Sequence, residues 1–540
     1  MQDDLYSMQR QQVLHHPVFS WPGLGAWSFY FLLKVALVTQ GMLELQLLWN
    51  FSLFTFLVLP VHIRGLKVVR QLIALAAATA LLYSESNLPP FDRLLDQWDL
   101  IRTFSARYLF ELLARLVPLE WVAGFLISCI LYLYLAKFLR MTTITLAALL
   151  SVALWSGVGP EPIAGTQLVN TNGAAQQTGA AGTQAAQTPA QILQDFYQAQ
   201  RQQTLTAPPV TTPAFDILML NVCSVSWSDL EAFDMLEHPF LKRADIMFTN
   251  YYSGSSYSGP STLRLLQASC GHRPHKDIFM PIPSCNIAHQ LASLGYSPEI
   301  RMNHTGSFDN YLTELQQLGG LQDAPFVNPK RFPITMESFD QSSIFSDYAI
   351  LEDWLNTRTS EPEFTFYNTT SLHDGNQLNG FTGVSRNSYK QRLQTMLDDF
   401  NRLFNEIEES GKAVLVVMVP EHGAGLAGDR FQLPGMREIP TPSLTHVPVM
   451  LKLFGPGIAQ KAELEPIEVT QTTSSLAITE AIYGIIEQAP FSGGLYQPEV
   501  VARNLPETRP VAENSGVVMM EYEGTFYIRI KDGAWRPYDN

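Results

Sequence analysis

Lys412 to Gly423 reads KAVLVVMVPEHG. From Ala413 to Val419 every residue is apolar, so neither face of an extended segment is polar; this is the pattern of a strand covered on both sides. Pro420 ends the run, and Glu421, His422 and Gly423 stand beyond its carboxyl end. In open α/β sheets ligands collect beyond that end of the strands. The stretch therefore points to a fold class and to the edge where chemistry should be sought.

Working outward, FDILMLNVCS (215–224), ADIMFTNYYS (244–253), EFTFYNTTS (363–371) and HVPVMLKLFGPG (446–457) read as further strands. Between and after them, WSDLEAFDMLEH (227–238), the run after Ser258, SRNSYKQRLQTMLDDFNRLFNEIEES (385–410) and VTQTTSSLAITEAIYGII (469–486) read as helices. Buried strands alternating with helices predict an α/β domain with a mainly parallel sheet flanked by helices. The tail GVVMMEYEGTFYIRIKDGAWRPYD (516–539) alternates at period two around a turn and reads as a hairpin.

The predicted strand ends carry reactive side chains. They deliver Cys223, lead into Ser258, and place His373 and Asp374 in SLHDGN and Glu421 and His422 in PEHG. Cysteine, histidine and glutamate are zinc ligands by softness and geometry. In SSYSGPSTLRLLQASCGH (255–272), Gly259 and Pro260 turn the chain into an amphipathic helix and set Ser258 at its start. A hydroxyl there sits among unpaired N–H groups and suits attack on a phosphoryl group, and a metal supplies the activation that serine lacks. An N-cap serine is the plain alternative.

The first 160 residues differ from the rest. Segments 23–42, 43–61, 68–84, 119–139 and 141–158 are each near the ~20 residues that a bilayer requires, which predicts a membrane domain over 1–159 with about five transmembrane helices. Lys34 falls inside the first and is expected to snorkel or to face the bundle interior. Residues 94–116 mix charge with apolar positions at helical spacing and read as an interfacial helix, a short ordinary helix being the alternative. Basic residues in HIRGLKVVR and KFLRM put both loops in the cytoplasm, and the part after 160 outside it. The start, MQDDLYSMQRQQVLHHPVFSWPG, lacks the features of a cleavable signal peptide. Residues 160–213, rich in Ala, Gln, Thr, Gly and Pro, predict a linker interrupted by a short helix near 189–204; 214–540 is the expected catalytic domain.

In an oxidising compartment two of Cys223, Cys270 and Cys285 should pair. Cys270 and Cys285, 15 apart, flank a loop suited to a staple, which leaves Cys223 for the metal. The net charge of −15 and the lack of a basic stripe exclude a general nucleic-acid binder.

The order strand–ligand, nucleophile before a helix, His loop, then EHG resembles the alkaline-phosphatase-like superfamily. With N-terminal spans and a linker it resembles the bacterial phosphoethanolamine transferases, and NVCSVSWSDL, SYSGPSTLRLLQASCG, SLHDGN and PEHGAG resemble the form that acts in cellulose secretion. That resemblance implies Zn2+ held by Cys223, Glu421 and His422 with Ser258 as nucleophile, His373 near the phosphate as proton donor, and Tyr257 and Arg437 flanking it. It implies phosphatidylethanolamine as donor, cellulose as acceptor, the cellulose synthase complex subunits as partners, and a multi-pass place in the bacterial inner membrane with the catalytic domain in the periplasm. His446 and Asp374 receive no role. A sulfatase-like or phosphoester hydrolase, or a catalytically silent scaffold, are the rival readings; Thr262 stands where the sulfatase signature wants arginine.

Overall fold

A computed structural model describes residues 23–538, apart from 41, 42, 44, 62, 87–101, 117, 118, 157–186, 210–213, 360, 430, 431, 433 and 459–464. The chain divides into two compact units, Met1–Trp98 with Leu116–Glu161, and Asp99–Arg115 with Pro162–Asn540.

The first unit is helical: Trp27–Thr39, Leu47–Val58, Arg64–Glu85, Leu119–Leu135 and Met141–Ser156. Each predicted span overlaps one of these helices. Among the described residues only Arg64–Glu85 is long and apolar enough to cross a membrane; the others have 12 to 17 residues. Lys34 is buried, as one of its two expectations had it: it pairs with Glu85 and donates to Asn50 Oδ1 at 2.6 Å. Charges placed among apolar helices are tolerated only when paired in this way.

The second unit is built on an eight-stranded sheet: β1 (Asp216–Val222), β2 (Ile246–Tyr252), β3 (Ser297–Met302), β4 (Phe326–Val327), β5 (Glu363–Thr369), β6 (Val414–Pro420), β7 (His446–Phe454) and β8 (Ile467–Val469). Their order is β8-β2-β7-β6-β1-β5-β3-β4. Pairing is parallel except along β7, which runs antiparallel to β6 and β2. The sheet is thus mixed, and the reason is local. After β6 the chain makes its excursion through 421–445 and re-enters the sheet at His446, opposite Tyr252 at the end of β2. The sequence reading does not include β4 and β8, which have two and three residues, or β3, whose SPEIRM mixes proline and charge with apolar positions.

All seven residues of β6 are buried. Leu415, Val417 and Val419 enter a core with Ile478 and Ile482 of helix Ser475–Glu487. Val414, Val416 and Met418 enter another, with Leu393, Phe400 and Phe404 of helix Tyr389–Ser410. Alternate side chains of one strand supply both layers. The tail extends the expected hairpin to four antiparallel strands, Val511–Asn514, Val517–Tyr522, Thr525–Ile530 and Arg536–Tyr538.

Two segments pack into the second unit: the short helix expected near 189–204 forms, and the helix read at a membrane interface lies elsewhere. Pro189–Gln200, in the expected linker, is a helix with a Thr188–Gln191 capping box, and its Ile192 and Phe196 pack with Val518 and Trp535. Ala106–Leu116, expected at a membrane interface, buries Tyr108 and Glu111 in the second unit. Its Leu109, Phe110 and Leu113 are exposed, the amphipathic split that the sequence showed.

Phe400 is fully buried against Phe240. Phe400→Ala is expected to lower the stability of this unit by about 3–5 kcal/mol, read as a drop in the urea midpoint without a change of slope.

Candidate functional site

The ends of β1, β5 and β6 are level with one another. Val222 pairs with Thr369 and Pro420, so Cys223 and Glu421 leave adjacent strands side by side. The main chain holds them there: Cys223 N–H donates to Thr369 O at 3.0 Å and Glu421 N–H to Val222 O at 2.8 Å. Ser224 follows at φ 68, in the left-handed region that a serine seldom adopts, and its carbonyl accepts from Tyr389 Oη at 2.6 Å.

Cys223, Glu421 and His422 present ligand atoms within 4.8 Å of one another, all three buried. Cys223 Sγ is 3.9 Å from His422 Nε2, which is 4.0 Å from Glu421 Oε2. Glu421 Oε1 is fully engaged, accepting from Asn368 Nδ2 at 2.7 Å, Tyr311 Oη at 3.1 Å and Thr262 Oγ1 at 3.2 Å. Oε2 is buried without a hydrogen-bond donor. A carboxylate oxygen bare in the interior is costly unless a cation meets it. His422 Nδ1 lies 2.8 Å from Gly423 O, which places the proton on Nδ1 and leaves the Nε2 lone pair for a ligand. Burial and Arg437 hold this imidazole well below its usual pKa, hence neutral. Burial, then Glu421, pushes the Cys223 thiol up to about 12, so only a bound cation would ionise it. The donor set fits a soft divalent metal ion.

Ser258 opens helix Ser258–Leu266, with Tyr257 as the residue before it. The Ser258 hydroxyl does not cap this helix; Oγ lies 3.3 Å from His422 Nε2 and 3.5 Å from Cys223 Sγ. The plain N-cap alternative therefore fails. Arg437 reaches in from the excursion after β6: Nη1 is 3.4 Å from His422 Nε2 and Nη2 donates to His373 Nε2 at 3.2 Å. His373 Nδ1 is 2.7 Å from Asp374 O, and burial with Arg437 lowers its pKa to about 3. A neutral imidazole with an acceptor at Nε2 takes up a proton rather than giving one.

Of the remaining expected residues, Tyr257 turns its hydroxyl to Glu438 Oε2 at 2.8 Å, next to Arg437. Cys270 and Cys285 form a disulfide after the Ser258 helix. His446, unassigned from sequence, donates through Nε2 to Thr249 O at 2.8 Å and stacks on Tyr252, apart from the ligand group. Asp374 accepts from Tyr108 Oη at 3.2 Å.

Sequence reasoning missed Asn368, Tyr311, Asn514 and Glu314. Asn221 had a signal, as a polar position that interrupts the apolar run of β1; it accepts from Asn368 Nδ2 at 2.8 Å, and Asn368 stands out less in a strand that also holds Glu363, Thr365 and Thr369. Asn514, from the C-terminal sheet, had none. Its Oδ1 accepts from Ser255 Oγ at 2.9 Å, and its Nδ2 donates to Ser256 Oγ at 2.7 Å and to the carbonyls of Arg437 and Glu438 at 3.0 and 2.8 Å. One amide thus ties the turn before Ser258 to the loop that carries Arg437. Glu314 Oε2 would stand 3.1 Å from a Cβ at Gly259, so a carboxylate flanks the start of the Ser258 helix. Burial and Asp309 push its pKa up.

The sequence profile described as "Cellulose biosynthesis protein BcsG C-terminal domain" matches residues 172–535, and "Cellulose biosynthesis protein BcsG N-terminal domain" matches 27–154. The chain is 35% identical over 549 residues to cellulose biosynthesis protein BcsG of Salmonella typhimurium strain LT2, covering 96% of this chain and 97% of that protein. It is 34% identical over 546 residues to the protein of the same name from Escherichia coli strain K12, with the same coverage. Among solved structures, an alkaline phosphatase superfamily protein from Vibrio parahaemolyticus is similar at a TM-score of 0.45 and 12% identity, over 66% of this chain and 89% of that one.

Asn514→Ala strips partners from several buried groups at once. Each buried polar group left unsatisfied costs about 1–3 kcal/mol. The expected outcome is a loss of about 2–4 kcal/mol in urea unfolding of the full chain; an unchanged midpoint would show that the clamp is not held by this amide.

Proposed function

Because the chain belongs to the BcsG family of cellulose biosynthesis proteins, we propose that it is a membrane-anchored, zinc-dependent phosphoethanolamine transferase that works through a covalent Ser258 intermediate. One observation carries this reading: a thiol, a neutral imidazole, a bare carboxylate oxygen and a serine hydroxyl converge in a buried pocket at a helix start. Cys223, His422 and Glu421 would hold Zn2+, which supplies Lewis acidity and a lowered pKa for the hydroxyl beside it.

The donor in this reading is phosphatidylethanolamine. Ser258 Oγ loses its proton to water and attacks phosphorus; the bond to the diacylglycerol oxygen breaks, and that oxygen leaves with a proton taken from water. The unpaired N–H groups of the first turn and the Arg437 guanidinium face the charge that develops on the phosphoryl oxygens. The headgroup ammonium finds Glu314 beside Gly259. In the second half-reaction a glucose 6-hydroxyl of cellulose attacks the same phosphorus. His373 Nε2 takes its proton and passes it to Ser258 Oγ as the Ser258–phosphorus bond breaks. His373 acts first as base here, because burial and Arg437 keep it neutral before substrate arrives. The expectation of a resting proton donor is modified to that extent.

A lipid donor accounts for the apolar helices of the first unit. The proposed arrangement is five spans over 1–159, a linker over 160–213 and a catalytic domain over 214–540 in the periplasm, in association with the cellulose synthase complex.

Ser258→Ala is expected to abolish turnover of a chromogenic phosphoethanolamine ester while retaining zinc. Cys223→Ala is expected to lose both, as followed by elemental mass spectrometry of the purified chain. Wild-type turnover by Ser258→Ala would sink the covalent scheme. Glu314→Gln should raise KM for the phosphoethanolamine ester about tenfold and leave KM for a methyl phosphodiester of the same leaving group unchanged.

A further inference from the structure

We propose that residues 102–116 are a positioning element of the catalytic site, with Tyr108 acting on His373 through Asp374 and Phe339. The proposal rests on the role given to His373 above. In sequence this segment lies between the apolar helices Arg64–Glu85 and Leu119–Leu135, and it falls within the N-terminal profile match. In space Asp99–Arg115 forms one compact unit with Pro162–Asn540.

The segment holds the His373 loop from two sides. At the near end, Ser105 N–H donates to Phe339 O at 2.9 Å. The ring of Phe104 meets Phe339 edge-on at 5.3 Å, and Tyr108 lies tilted against Phe339 at 5.7 Å. Phe339 in turn stacks on the His373 imidazole, with centroids 4.6 Å apart and planes at 28°. Tyr108 Oη donates to Asp374 Oδ2 at 3.2 Å. Gly375 sits at φ 85, and a Cβ there would stand 2.5 Å from Phe339 Cβ and 2.7 Å from the Tyr108 ring. The loop can pass between these aromatics only as a glycine.

At the far end, buried Glu111 accepts from Ser385 N–H at 3.2 Å and Ser385 Oγ at 2.7 Å, and Arg107 donates to Gly383 O. Between the two ends Arg392 Nη1 donates to the carbonyls of Ser371 and His373 at 2.7 and 3.0 Å. The imidazole plane is therefore set by Phe339, and Phe339 by the segment. A misplacement of about 1 Å in a catalytic group costs about 100-fold in rate. The helix Ala106–Leu116 ends three residues before Leu119, the first residue of the next apolar helix, so the geometry at His373 depends on chain that is continuous with the membrane-associated part.

The test uses the full chain in detergent micelles, the chromogenic phosphoethanolamine ester, and separate kcat and KM. Tyr108→Ala is expected to lower kcat about tenfold, with KM within about twofold and metal content unchanged. Tyr108→Phe keeps the ring against Phe339 and Gly375 but loses the bond to Asp374, and is expected to recover part of that loss, leaving kcat about threefold down. In a His373→Ala background, Tyr108→Ala should cost less than about twofold further, since residues that act as a unit are non-additive. Losses that multiply in that background would overturn the proposal alone, as would an unchanged kcat for Tyr108→Ala. If Tyr108→Ala does not fold, Tyr108→Phe carries the same comparison: a kcat loss of about threefold that vanishes in the His373→Ala background supports the proposal, and no loss or an additive one overturns it. Wild-type turnover by His373→Ala would overturn the role of His373 itself, and the proposal with it.

Discussion

A carboxylate with one oxygen satisfied three times and the other left bare is the constraint on which the second unit turns. Glu421 is 1% exposed. Asn368, Tyr311 and Thr262 fix its Oε1, and each comes from a different element: β5, helix Tyr311–Leu318 and the Ser258 helix. Leaving Oε2 unpaired beside a thiol and a neutral imidazole is unfavourable in a dry interior. The arrangement suits a positive charge brought to that point. The geometry that makes the site costly as it stands is the geometry that suits it to a metal ion.

From that point the other parts follow. Parallel register at the ends of β1, β5 and β6 delivers Cys223, the His373 loop and Glu421 to one edge. The excursion after β6 returns Arg437 over it, and the antiparallel run of β7 is the consequence. Asn514, from a separate sheet, ties that excursion to the turn before Ser258. Residues 102–116 tie down the loop on the other flank. Chemistry proposed for one serine thus draws on segments separated by some 400 positions in sequence, and this is why a rigid sheet carries it.

What could be read in advance was whatever repeats or is rare. The unbroken apolar run of β6 announced burial on both faces. The positions of Cys223, Ser258, His373, Glu421 and His422 at strand ends announced a common edge. The antiparallel sense of β7 could not be read, because a strand's residues do not encode its direction. Asn221 was visible as a polar interruption of a buried strand, yet its partner was not. Asn514 and Glu314 are ordinary residues whose value comes only from what lies opposite them. Tyr108 and Glu111 were legible as one face of an amphipathic helix, but the pattern was equally that of a helix lying on lipid; only tertiary packing distinguishes a protein surface from a membrane surface.

The proposed chemistry requires a phosphoethanolamine group carried on Ser258. It is tested most directly by intact-mass and peptide mass spectrometry of the full chain after incubation with phosphatidylethanolamine and no glucan acceptor. The account predicts one added phosphoethanolamine, located on the peptide that contains Ser258 and discharged when cellulose oligosaccharide is supplied. An adduct on another residue, or turnover with no adduct at Ser258, would contradict it.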